Sequence, residues 1–154
     1  MTWLTELFTN PFLITSTSSW LIAQVMKVII NFCVTRQLSW ERLFGDGGMP
    51  SGHSATVSSL AIFAALRCGC GSFEFAVTAI LAIIVCHDAM GVRQEAGKQA
   101  IVINEMVEKF EKLLKQDIVD IDLKELVGHT PLQVLAGIAV GICNALIMHF
   151  WVFN

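Results

Sequence analysis

The stretch PLQVLAGIAVGICNALIMHFWVF, residues 131–153, decides the fold, because its 23 positions hold no Asp, Glu, Lys or Arg. A bilayer span needs about 20 predominantly apolar residues, within a range of roughly 17–25. Working outward, three more stretches approach that standard. Residues 15–35 carry Lys27 as their only charge, residues 51–66 open on SGHSATVSS and stop before Arg67, and residues 75–90 read FAVTAILAIIVCHDAM. The two middle stretches are short for full spans, and Arg67 can snorkel to the far interface. Composition agrees, with 55% hydrophobic and 15% charged residues in a chain of 154, against roughly 45–50% and about 25% in soluble domains.

Residues 91–130 have a different character. Ile103, Met106, Val107, Phe110, Leu113 and Leu114 recur at helical spacing. Glu105–Lys109, Glu108–Lys112 and Glu111–Lys115 stand four apart on the other face, acid first, which is the favourable order. This predicts a water-facing amphipathic helix over about 97–116, lying against the bundle or the headgroups. The expected fold is all-α and integral to the membrane: a single domain over residues 1–154, with about four transmembrane helices plus a cytoplasmic amphipathic helix.

Orientation follows from the basic residues in the connections. Arg36, Arg42, Arg93, Lys98, Lys109, Lys112, Lys115 and Lys124 fall on one side, and Arg67 alone on the other. Eight against one predicts that both long connections face the cytoplasm, with both termini outside, in a multi-pass protein of a bacterial-type inner membrane.

Other classes are disfavoured. A net charge of −3 supplies no basic surface for nucleic acid. The five cysteines, Cys33, Cys68, Cys70, Cys86 and Cys143, contain no CxxC pair and read as small buried hydrophobes. The first dozen residues hold Glu6 and no Lys or Arg, so they are not expected to be a signal peptide.

Four features carry possible chemistry. In Gly47-Gly48-Met49-Pro50-Ser51-Gly52-His53-Ser54, Ser51 can cap a helix whose first N–H groups and dipole favour an anion, with His53 in the first turn as an acid. The plainer reading is a glycine turn before a capped membrane helix. In Asp88-Ala89-Met90-Gly91-Val92-Arg93, the arginine can grip a phosphate through two parallel hydrogen bonds, or simply pair with Asp88 or lipid headgroups. In Val127-Gly128-His129-Thr130-Pro131-Leu132-Gln133, Gly128 suits a helix end, Thr130 an N-cap and Pro131 the first helical position. Thr130 and Gln133 form a capping box, which puts His129 on a tight corner, where it could equally cap the preceding helix. Lys27, finally, lies nine residues from Arg36, about 13 Å of helix. That is too far for its side chain to reach the surface, so a cavity opening from the cytoplasm is expected around it.

His53, Arg93 and His129 fall at the same predicted face, with Lys27 able to point toward it. Together they suit phosphoryl transfer through a phosphohistidine: one histidine attacks phosphorus, the other protonates the leaving oxygen, and the cations neutralise developing charge.

GGMPSGHSA, DAMGVRQEAGKQA and ELVGHTPLQVLAG together resemble the divergent branch of the type 2 phosphatidic acid phosphatase family, which is related to vanadium haloperoxidases. The resemblance spans about residues 24–141. It implies that His129 is the nucleophile and His53 the general acid, while Lys27, Ser51, Gly52 and Arg93 bind phosphate, joined by Arg36 and Lys98. It implies no metal and no cofactor. Three departures stand out. The arginine expected seven positions after Lys27 falls at Val34, with Arg36 the nearest substitute. Arg93 and His129 are separated by the amphipathic helix. The acid that should orient the nucleophile is Gln133, which leaves Asp88 or Glu125 to replace it.

The implied activity is hydrolysis of a lipid phosphate, such as phosphatidylglycerophosphate, phosphatidate or an isoprenyl diphosphate, at the cytoplasmic face. The alternative is a non-catalytic scaffold or lipid-phosphate-binding protein that has lost the triad acid; a small transporter or channel fits less well. Four spans are fewer than the six usual in membrane members of the superfamily, so a homodimer or larger homo-oligomer surrounded by membrane lipids is expected.

Overall fold

The structure is a computed structural model that describes residues 2–36, 48–114, 123 and 128–153, the side chains of 92–94 excepted. Six α-helices run in order: α1 (Trp3–Phe8), α2 (Pro11–Thr35), α3 (Gly52–Cys68), α4 (Phe73–Met90), α5 (Val92–Leu114) and α6 (Pro131–Ile147). A short π-helical turn, Met148–Val152, continues α6. No strand occurs among the described residues.

Each helix start has a local cause. Asn10 Oδ1 accepts from the N–H groups of Phe12 and Leu13, and Pro11 follows at the first helical position. These signals start α2 ahead of the apolar stretch counted from residue 15. Arg36 ends it in the left-handed region at φ 58°. Ser51 caps α3 through Ser54 N–H, and Ser72 caps α4 through Phe75 N–H. The capping box expected at Thr130 and Gln133 is present, with both reciprocal bonds formed.

Among the described residues, three helical stretches are long and apolar enough to cross a membrane: Pro11–Thr35, Phe73–Leu114 and Pro131–Val152. In the second, the apolar residues belong to α4 and the amphipathic pattern to α5. Length and hydropathy thus support three of the about four spanning helices expected. With 17 residues, α3 is about 26 Å long, just under the hydrocarbon thickness. It is nevertheless the centre of the bundle, packing against α2, α4 and α6. Its buried positions are mostly small: Gly52, Ser54, Ala55, Val57, Ser58, Ser59, Ala61 and Ala64, with Phe63 the large exception. Helices in lipid gain nothing by excluding water from one another, so small residues that admit close packing hold them together.

Aromatic contacts fix the directions. Phe63 near the end of α3 meets Phe12 at the start of α2 and Phe153 beyond α6, with ring centroids 5.2 and 6.0 Å apart. Arg67 Nη1 donates to Phe153 O at 2.8 Å at this same end. The opposite end of the bundle gathers the starts of α3 and α6 and the end of α4.

The cysteines are not buried. Cys33, Cys68, Cys70 and Cys143 are exposed and Cys86 is half-buried, all five as free thiols. In a chain this apolar, outward positions face lipid, and a thiol sits there at little cost.

Candidate functional site

The site forms where α3 and α6 begin. α6 approaches so closely that backbone meets backbone: a Cβ on Gly137 would lie 2.4 Å from Ser51 O, and one on Gly141 2.5 Å from Ala55 O. This closeness lets Ser51 N–H donate to Gln133 O at 3.0 Å. The start of α3, expected to cradle an anion, is thus bonded directly to the first turn of α6. Ser51 is fully buried, and its Oγ accepts from Ser54 N–H and bonds Ser54 Oγ at 3.1 Å. The Met49–Pro50 bond just before it is cis.

His129 is held on three sides. Gly128 precedes it at φ 95°, a conformation that suits glycine, and turns the chain sharply into the corner. His129 N–H donates to Ala89 O at 2.9 Å, tying the corner to the end of α4. Its Nδ1 lies 3.2 Å from Gln133 Oε1. That oxygen also accepts from Thr130 N–H at 3.1 Å. A backbone N–H can only donate, so the capping box fixes which way the Gln133 amide points. With an oxygen facing it, Nδ1 carries a proton, and in the neutral imidazole the lone pair then sits on Nε2. His129 is 2% exposed, and its ring centroid stands 6.4 Å from that of His53.

The remaining predicted residues divide. Lys27 is 5% exposed, on the α2 face that also buries Ser19, Ala23 and Gln24. Gly52 is buried at the first position of α3. Asp88 is half-buried beside Ala89, whose carbonyl holds His129. Lys98 sits on α5, exposed and paired with Glu95 at 2.7 Å. Arg36 is exposed at the end of α2. The Arg93 side chain and Glu125 lie outside the described residues, as does Lys115 of the third Glu–Lys pair. Among the described residues no three His, Cys, Asp or Glu side chains converge as metal ligands.

Residues that sequence reasoning passed over complete the surroundings. Trp20 and Gln24 of α2 lie against Gly52: a Cβ there would be 3.3 Å from Trp20 Cδ1 and 3.8 Å from Gln24 Oε1. Beside His53 opens a groove of about 340 Å³, lined by Thr17, Trp20, Thr56, Val57 and Val85. Asn144 binds α6 to α2, its Nδ2 donating to Thr15 O, Ser18 Oγ and Ser19 Oγ at 2.7–3.0 Å. The four-residue spacing of Gly137 and Gly141 was a readable signal of close helix packing. Nothing in the sequence pointed to Gln24.

The Divergent PAP2 family matches residues 8–144 of the chain. An uncharacterized membrane protein, YuiD of Bacillus subtilis (strain 168), is 42% identical over 155 residues, covering 95% of this chain and 98% of its own length. No solved structure matches.

Proposed function

The chain belongs to the divergent PAP2 family, and from that membership we propose that it is a membrane lipid-phosphate phosphatase working through a phosphohistidine. The carrying observation is the hold on His129: its Nδ1 lies 3.2 Å from Gln133 Oε1 and its ring 6.4 Å from that of His53, so a ring protonated on Nδ1 can offer Nε2 to phosphorus. In the first step Nε2 bonds to phosphorus as the P–O bond to the lipid breaks, and protonated His53 gives its proton to the leaving alkoxide. In the second, water attacks phosphorus, His53 takes a proton from it, and the N–P bond breaks. The N–H groups and dipole at the start of α3, with Lys27, offset charge on the phosphoryl oxygens.

The groove beside His53 supports a lipid substrate. Although Thr17 and Thr56 stand beside Trp20, Val57 and Val85 in its lining, the surface these residues of α2, α3 and α4 present is almost wholly apolar, which suits an acyl or isoprenyl chain. The positive-inside pattern supports a cytoplasmic-facing site.

The test is phosphate release by the purified protein from a panel of lipid monophosphates and diphosphates, without added metal. Wild type should release phosphate and His129→Ala should not. Release by neither, on any substrate, would sink the hydrolase reading. One observation favours a second reading. Gln133 can orient the imidazole but cannot stabilise the imidazolium formed on attack as a carboxylate does. A lipid-phosphate-binding protein without turnover would bind vanadate and release no phosphate.

The proposed homo-oligomer has its most open face on α4, where Ile80, Ile83 and Ile84 are 59–69% exposed. Single cysteines placed at these positions in a background without the native five should cross-link in membranes. Failure of all three removes that face as the contact.

A further inference from the structure

Among the described side chains, two buried polar atoms take no hydrogen bond, and one of them is Gln24 Oε1. Gln24 is 6% exposed on the α2 face turned to α3. Its neighbours in the interior are satisfied: Ser51 and Ser54 bond each other, and Asn144 serves Thr15, Ser18 and Ser19. An acceptor shut away from water without a donor costs the free protein its full desolvation. The other such atom, His149 Nδ1, belongs to a ring packed against Phe63 and Phe150, whereas Gln24 Oε1 lies beside the start of α3, where a ligand can supply the missing donor.

Position says which ligand. The oxygen lies 3.8 Å from where a Cβ on Gly52 would be, so it faces the first residue of the anion-binding helix start, between Ser51 and His53. Gly52 has no side chain to cover it, and Trp20 closes the other flank. Lys27 follows Gln24 by three residues on the same buried face, about 4.5 Å further along the helix. An anion drawn there by Lys27 and the N–H groups of α3 meets an acceptor as well as donors. A fully ionised phosphate offers such an acceptor nothing, whereas a phosphate that keeps one proton offers a P–OH.

Resting on the phosphate-site reading above, we infer that Gln24 is a further substrate-binding residue, its Oε1 accepting from a protonated phosphoryl oxygen. The site therefore takes phosphate in a form that keeps a P–OH: the monoanion of a lipid monophosphate headgroup, or the free product, which keeps one even as its dianion.

The experiment measures binding of inorganic phosphate to the purified full chain at about pH 6, where phosphate is mainly the singly charged dihydrogen form, beside the melting temperature of the unliganded protein. Gln24→Met keeps the shape and removes the acceptor. It should weaken phosphate about tenfold or more, since hydrogen bonds to charged groups are the strong ones, and raise the melting temperature of the free protein. Gln24→Glu sets a carboxylate against the anion and should weaken binding further. A residue that merely holds the fold would move both measurements the same way. Unchanged phosphate affinity in Gln24→Met, or a loss of affinity together with a lower melting temperature, overturns the inference. Wild-type protein that binds no phosphate removes the phosphate site itself. Wild type that binds while Gln24→Met binds equally removes only Gln24. A short lipid monophosphate run in parallel separates the sources: weakening with both ligands places the contact at the phosphoryl group, and weakening with the lipid alone places it on the headgroup and overturns the assignment.

Discussion

Where α6 crosses α3, glycines bring backbone onto backbone; where α4 and α5 leave the bundle, isoleucines and charged side chains point outward. In the seam, Gly137 and Gly141 leave no room for a Cβ, and Ser51 N–H reaches Gln133 O. In the limb, Ile80, Ile83 and Ile84 of α4 are more than half exposed, and α5 has α4 as its main partner among the described elements. The seam tolerates nothing because its position depends on an interatomic distance. The limb depends on solvent matching, apolar toward lipid and charged toward water, which many side chains satisfy. The candidate chemistry sits on the seam: Ser51 N–H bonds Gln133 O, Gln133 Oε1 meets His129 Nδ1, and the His53 ring stands 6.4 Å from that of His129.

The harshest way to break the comparison is to place a side chain in the seam. Overpacking a well-packed interior costs about 1–3 kcal/mol and occasionally more, and here the opposing atoms are backbone that cannot rotate away. Gly141→Leu should yield no monodisperse protein in detergent, while Ile83→Ala on α4 should purify as wild type. Size-exclusion profiles and circular dichroism read both. Gly137→Ala is the milder version: its methyl meets Ser51 O, so it should lower phosphate release through Ser51 even where the protein still folds.

Next in size is a change on the seam that leaves packing alone. Gln133→Glu keeps an oxygen for Thr130 N–H and for His129 Nδ1–H and supplies the negative charge that stabilises an imidazolium. Phosphate release should rise roughly tenfold or more, read as kcat on the best substrate of the panel. An unchanged or lower rate would mean that another carboxylate, such as Asp88, already does this work, or that phosphohistidine formation does not limit turnover.

How much of this was legible depended on whether a residue's role was local. Ser51, and Thr130 with Gln133, announce themselves as caps because the signal lies within four residues, and His53 and His129 ride on those caps. Asn10 and Pro11 carried the same kind of signal for α2, but the apolar count drowned it. Gln24 and Asn144 were opaque for a different reason, and the spacing of the two glycines signalled close packing without naming the partner. Their meaning lies on a partner helix: Gln24 is one more neutral polar residue until α3 places Gly52 beside it. Exposure of the cysteines was misjudged because an apolar stretch reads alike whether it faces protein or lipid.

A smaller test concerns the polar contact between α6 and α2. Asn144 donates to three acceptors on α2, yet interhelical hydrogen bonds in membranes average only about 0.6 kcal/mol and reach about 1.7. Asn144→Leu should lower the melting temperature by a few degrees without changing phosphate affinity, because its contacts lie away from Gln24 and the histidines. If it abolished binding, the site would depend on the α2–α6 contact as well as the seam.

The smallest effect belongs to the limb. On α5, Lys112 hydrogen-bonds Glu108 and holds its carboxyl below the usual carboxylate range, mainly through that bond and then through its charge. A depressed carboxylate adds stability above its unfolded pKa and loses it as pH falls through the folded value, so any contribution fades on acidification. Both side chains are well exposed, water screens them, and isolated surface pairs often contribute nothing measurable. Lys112→Gln should therefore return the Glu108 titration to the ordinary carboxylate range while leaving melting temperature and phosphate release unmoved between about pH 5 and 8. Side-chain carboxyl NMR on the labelled protein reads the first and a thermal melt the second. A clear loss of stability would show that α5 rests its charged face against something more demanding than water, and the contrast between seam and limb would then need redrawing.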